Sequence, residues 1–152
     1  MLSVLVHNIR SMHNVGAIFR TSDGAGVSHI YLTGYTPYPP RKEIAKTFLG
    51  AENFISWNHD TDPIPIIKRL KKEGTAIVLL EQLPNSIPHH QIANHFKKTD
   101  NILLIVGSEI GGINQDIINL ADIAIEIPMH GQKENLNVSV AFGIAIYQIS
   151  SL

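Results

Sequence analysis

The decisive stretch is Ile102-Leu-Leu-Ile-Val-Gly107-Ser108-Glu109-Ile-Gly111-Gly112. Apolar residues run unbroken from Ile102 to Val106 and give way to a glycine-rich loop. Such a run, bounded by glycine, reads as a strand buried on both faces, and these strands belong to parallel sheets covered by helices on either side. The loop is neither GxGxxG nor the GxxxxGK[ST] phosphate cradle. Its glycines serve either a bound nucleotide or simply the turn out of the strand. Glu109 is the unusual residue: a carboxylate at the carboxyl end of a strand packs badly and accepts hydrogen bonds well.

Working outward, further strand-like runs lie at Leu2–His7, Val27–Leu32, Asn53–Trp57, Thr75–Leu80 and Ile123–Ile127. Helical spacing separates them. Val15, Ile18, Phe19 and Ser22 share one face of a helix that Gly24 and Gly26 end. Arg41–Gly50 is a short helix candidate. Ile64–Lys72 turns Ile66, Ile67 and Leu70 inward and Lys68, Arg69, Lys71 and Lys72 outward. Asn114–Leu120 and a long apolar stretch, Leu136–Ile149, complete the series. Five or six strands alternating with helices predict an α/β fold, Rossmann-like, with a mostly parallel sheet and helices on both faces. No repeat, linker or low-complexity tract divides residues 1–152, so one domain is expected.

Composition narrows the function. The 152 residues hold 12 basic and 13 acidic side chains and no cysteine. Disulfide scaffolds, thiolate metal sites and cysteine nucleophiles are thereby excluded. No apolar run approaches the roughly 18 residues that span a bilayer, and the first residues lack the pattern of a signal peptide. An intracellular, cytoplasmic protein without a membrane partner is expected. His89, His90 and His95 have only Asp100 as a nearby acidic companion and read as surface residues, so no metal is expected. Charge is uneven. Residues 1–50 carry Arg10, Arg20, Arg41, Lys42 and Lys46 against two acids, whereas residues 75–152 carry seven acids against three bases.

In open parallel sheets ligands sit beyond the carboxyl ends of the strands. The loops that reach this rim carry the chemistry. The first is Asn14-Val-Gly-Ala-Ile-Phe-Arg20-Thr21, in which Asn14 suits a helix N-cap and Arg20 lies about 240° round the helix from it. Arg20 either pairs internally or points into a site. The second is the Gly107–Gly112 loop. The third is Ile127-Pro-Met-His-Gly-Gln-Lys-Glu-Asn135-Leu136-Asn137-Val-Ser-Val-Ala141, where Asn135 or Asn137 caps the final helix. His7 and His130 flank this region. Tyr35 and Tyr38, in a proline-rich loop, either stack on bases or pack that loop.

These three segments, in this order, resemble the SpoU (TrmH) family of RNA ribose 2′-O-methyltransferases, within the SPOUT class. The resemblance runs over nearly the whole chain and matches the catalytic domain alone. It implies a deep trefoil knot in the C-terminal third and S-adenosylmethionine as cofactor. The backbone at Gly107, Ile127 and Leu136 would hold the cofactor, with Leu80 and Glu81 matching more loosely. The catalytic set carried over is Asn14, Arg20 and Glu109, together with Asn135 where the family usually has serine. Arg10, Arg41, Lys42 and Lys46 form the basic region expected to meet RNA, either tRNA or rRNA, and a homodimer is implied. Two other readings stand beside it: a non-catalytic RNA- or cofactor-binding relative, and a nicotinamide-dependent protein, which the missing GxGxxG disfavours.

Overall fold

The computed structural model describes residues 1–39, 46 and 49–152. Its elements are β1 (Leu2–His7), α1 (Met12–Gly24), β2 (His29–Thr33), β3 (Ser56–Asp60), α2 (Ile64–Lys72), β4 (Ala76–Leu80), β5 (Ile87–Pro88), β6 (Ile102–Val106), α3 (Gln115–Ile118), β7 (Ile123–Glu126) and α4 (Val138–Ser150). The strands form one sheet in the order β3-β2-β1-β6-β4-β7-β5, and every pairing is parallel. β1 and β6 lie side by side near its middle, with Val4 opposite Leu104 and Val6 opposite Val106.

Both faces of the sheet are buried, as unbroken apolar strands require. Val4, Val6, Val78, Leu104 and Val106 pack with Val15, Ile18 and Phe19 of α1 and Phe142 and Ile146 of α4. Leu5, Ile77, Leu79, Leu103 and Ile105 face the other way, against Ile66, Ile67 and Leu70 of α2 and Ile117 of α3. The pleat turns successive side chains to opposite faces, so one apolar run supplies both layers.

The structure corrects several boundaries. There are seven strands rather than five or six. β2 begins at His29 instead of Val27. The strand expected over Asn53–Trp57 lies at Ser56–Asp60, because Ala51–Asn53 form a 3-10 turn that buries Ala51 and leads Ile55 into the core. At the sheet edge β3 needs only one neighbour, so it is polar, and Tyr38 packs on Trp57 and His59 with ring centroids 6.4 and 4.1 Å away. α1 is capped by Ser11, whose Oγ accepts from Asn14 N at 3.2 Å, and not by Asn14. α4 begins at Val138 behind the cap Asn137, not at Leu136. Most of the helix expected over Arg41–Gly50 lies outside the described residues, as do Arg41 and Lys42. Lys46 is exposed.

Candidate active site at the carboxyl rim

The loops after β4, β6 and β7 enclose a cavity of about 370 Å³, whose walls include Leu80, Glu81, Gly107, Glu109, Ile127 and Leu136. All five residues expected to hold a cofactor therefore share one hollow, of a size that takes a small ligand. Glycine at 107 is required by packing: a Cβ there would sit 2.6 Å from Ile113 Cγ1 and 3.1 Å from Gly112 O. Gly112 adopts a left-handed φ of 63°, which allows Gly112 N to donate back to Ser108 O at 2.8 Å. Ser108 Oγ accepts from the N–H groups of Ile110 and Gly111 at 3.3 and 3.4 Å, which stiffens the loop. Across the mouth, Gln82 Nε2 donates to Glu134 O at 2.8 Å.

At the lip of this cavity a hydrogen-bonded chain joins the three motifs. Asn14 is 8% exposed. Its Nδ2 donates to Glu109 Oε1 at 3.4 Å, while its Oδ1 accepts from Asn137 Nδ2 at 3.3 Å. Glu109 Oε1 also accepts from Val138 N at 3.1 Å, a free N–H at the start of α4, where a carboxylate complements the positive helix end. Asn137 Oδ1 accepts from Ser139 N and Ser139 Oγ at 2.9 and 2.6 Å. Because Ser11 caps α1, the Asn14 side chain is free to enter this chain.

The other expected residues stand apart. Arg20 is exposed near the far end of α1 and has no ion-pair partner among the described residues. Glu109 hydrogen-bonds Asn14 and forms no ion pair with Arg20. Asn135 is exposed on the cavity wall, with no side-chain hydrogen bond among the described residues. Asn137 is the member of this network that the motif comparison passed over. Its signal was its place two residues before Ser139, the spacing at which an asparagine oxygen caps a helix.

Beyond the Gly107–Gly112 loop lies a second cleft. Arg10 lies there with its guanidinium carbon 5.7 Å from the Tyr35 ring centroid. His7 is buried beside it, and burial holds its imidazole below the ordinary value of 6.5, with Asp62 pulling the other way. Among the described residues no helix is long and apolar enough to cross a membrane.

Fold and site define an α/β protein that holds a ligand where a parallel sheet ends, closed by an asparagine–carboxylate network. The chain belongs to the SpoU rRNA Methylase family, whose model matches residues 1–147. It is 31% identical over 148 residues to tRNA (guanosine(18)-2′-O)-methyltransferase of Aquifex aeolicus, covering 97% of this chain and 67% of that one. The solved structure of the A. aeolicus TrmH/SpoU tRNA modifying enzyme superposes with a TM-score of 0.86 at 29% identity, over 99% of this chain and 74% of that one. An AdoMet-bound rRNA methyltransferase from Sinorhizobium meliloti shares the fold, with a TM-score of 0.88 at 24% identity over 99% of this chain and 56% of that one. The chain spans 58% to 67% of the length of the first curated relatives it matches.

Proposed function

We propose that this protein transfers a methyl group from S-adenosylmethionine to a ribose 2′-hydroxyl of tRNA or rRNA. The observation that carries the reading is the chain Glu109–Asn14–Asn137 at the mouth of the Gly107–Leu136 cavity. The residues present fit the cofactor. The walls supply main-chain groups at Leu80, Gly107, Ile127 and Leu136 for an adenosine, and Glu81, Glu109 and Glu126 line the same space, as suits a positive sulfonium. When bound, S-adenosylmethionine would supply a sulfonium methyl group for in-line transfer to the ribose oxygen, with the neutral thioether as leaving group and the hydroxyl proton lost to water.

The protein's part is largely positioning, which can supply several kcal/mol of barrier lowering. Asn14, held at both ends of its amide, is fixed before any substrate arrives. Glu109 keeps it there and anchors the start of α4. Arg20 does not act as the base, because a guanidinium carries donors only and has no acceptor for the hydroxyl proton. It clamps a phosphate and steadies the developing alkoxide.

A second copy of the chain belongs to the same proposal. Val140, Ile144 and Tyr147 form an exposed stripe on α4, and α1 packs on that helix, with Gly24 close to the Tyr147 hydroxyl and Gly143 close to Thr21. Covering the stripe would bring Arg20 beside a partner and give it a site to serve. The trefoil knot and a cytoplasmic place are part of this reading too.

Incubation with methyl-labelled S-adenosylmethionine and bulk RNA, followed by nucleoside mass spectrometry, tests it. A 2′-O-methyl nucleoside is expected. Cofactor binding by calorimetry without transfer would leave the binding relative, and binding of a nicotinamide cofactor instead would overturn the family chemistry. Sedimentation reads the dimer.

A further inference from the structure

The second cleft holds about 370 Å³ and is walled by His7, Asn8, Arg10, Tyr35, Ile110 and Asn114. It shares the 108–112 loop with the cofactor cavity and draws its other walls from the end of β1, the loops after β1 and β2, and Asn114 before α3. Its aromatic wall is built rigidly. Asn8 takes a left-handed φ of 56°, which turns its Oδ1 to accept from Tyr35 N at 3.1 Å, and Asn8 N donates to Thr33 O at 3.2 Å. Gly34, at φ 66°, leaves room for that side chain, since a Cβ there would collide with Asn8 Oδ1. The backbone that carries the Tyr35 ring is thus anchored, and the ring is 54% exposed with Arg10 over it.

The polar wall is equally specific. The Thr33 hydroxyl donates to Val6 O at 3.5 Å and shares a hydrogen bond of 2.9 Å with His7 Nδ1. The tautomer protonated at Nδ1 satisfies both contacts, and it leaves Nε2 an acceptor with no protein partner among the described residues. Burial favours the same uncharged ring. A fixed aromatic face, a cation beside it and one unprotonated ring nitrogen are what a nucleobase requires: a surface to stack on and an acceptor for an edge N–H.

We propose that this cleft is a nucleobase subsite, in which Tyr35 and Arg10 take the flat face of one base of the RNA and His7 Nε2 accepts from an N–H on its edge. The inference rests on the RNA-binding part of the proposed function and deepens it. Base recognition here is separate from the cofactor cavity, although both meet at the 108–112 loop.

The test compares two labelled probes by fluorescence anisotropy: a short single-stranded oligoribonucleotide of mixed sequence, and a ribose-phosphate chain of the same length without bases. Stacking alone predicts about tenfold tighter binding of the base-bearing probe. Tyr35→Ala should erase that preference and Tyr35→Phe should keep it. His7→Asn retains a polar atom towards Thr33 but removes the cleft acceptor, and should weaken the base-bearing probe by about fivefold, one hydrogen bond's worth. Calorimetry with S-adenosylmethionine should read the same affinity for every variant, which also reports that the fold is intact.

Equal binding of the two probes would mean a phosphate groove and overturn the subsite. A preference that survives Tyr35→Ala would overturn it as well. A base preference in a protein that transfers no methyl group would sink the proposed reaction and leave the subsite standing.

Discussion

The two hollows on either side of the 107–112 loop differ in kind. The Gly107–Leu136 cavity is lined by glycines, by apolar residues such as Leu80, Ile127 and Leu136, and by the acidic Glu81, Glu109 and Glu126. The second cleft is walled by side chains, with Arg10, Tyr35 and His7 as its distinctive groups. A hollow that is apolar and acidic suits a ligand with an apolar body and a positive charge. A site that grips through side chains can be retuned one residue at a time. The loop between them belongs to both, and Glu109 and Asn14 sit where they meet.

The largest effect should come from the residue that belongs to neither hollow in a single chain. Arg20→Ala is expected to lower methyl transfer by about a thousandfold, as loss of a charge-stabilising donor does. Cofactor affinity by calorimetry should be unchanged, and full transfer in this variant would remove Arg20 from the site. Glu109→Gln comes next. The amide cannot accept as strongly from both Asn14 Nδ2 and Val138 N, so transfer should fall about a hundredfold while cofactor affinity falls less than tenfold. Equal losses in both would mean that Glu109 builds the cavity more than it orients Asn14.

Gly107→Ala attacks the shared loop itself. The Cβ has no room beside Ile113 and Gly112 O, and overpacking of this kind costs about 1–3 kcal/mol. The expected result is a lower Tm by several degrees and cofactor binding weakened about tenfold or more. A smaller effect comes from pH. His7 is held below 6.5 by burial, and His89 by burial and then by His90, against a hydrogen bond that its ring donates to the Glu126 backbone. The unfolded chain therefore binds protons first. Stability is complete above 6.5 and is lost as pH falls towards the folded values, and thermal melts between pH about 8 and about 5 should show the decline. His7→Asn should flatten part of it. Smallest of all is Asn135→Ser. Asn135 is exposed and Asn137 makes the network bonds, so activity should change less than about threefold, within the range of an exposed substitution.

Where apolar pattern alone decided structure, the sequence was legible. β1, α2 and β6 fall on the expected residues because each is a run whose burial leaves no alternative. β5 was hidden: it is only Ile87–Pro88, and its existence depends on lying against Ile125 of β7. β3 was displaced because Phe54 and Ile55 look like strand and instead belong to the 3-10 turn and the entry that follows it. In the site, Asn14, Glu109 and the cavity walls were legible as motifs. The cleft of Arg10 and Tyr35 was not, since those residues meet only because β1 and β2 run parallel and end at the same rim.

The pairing of β1 with β6 has one more consequence, for how the protein comes to exist. Residue 4 finds its partner at residue 104, at the centre of the sheet. During synthesis β1 must wait for about a hundred further residues, with its apolar residues exposed or held only by β2. The motif carrying Asn14 and the loop carrying Glu109 are therefore brought together by the same late event. The catalytic rim and the middle of the sheet should form, and be lost, as a single cooperative unit.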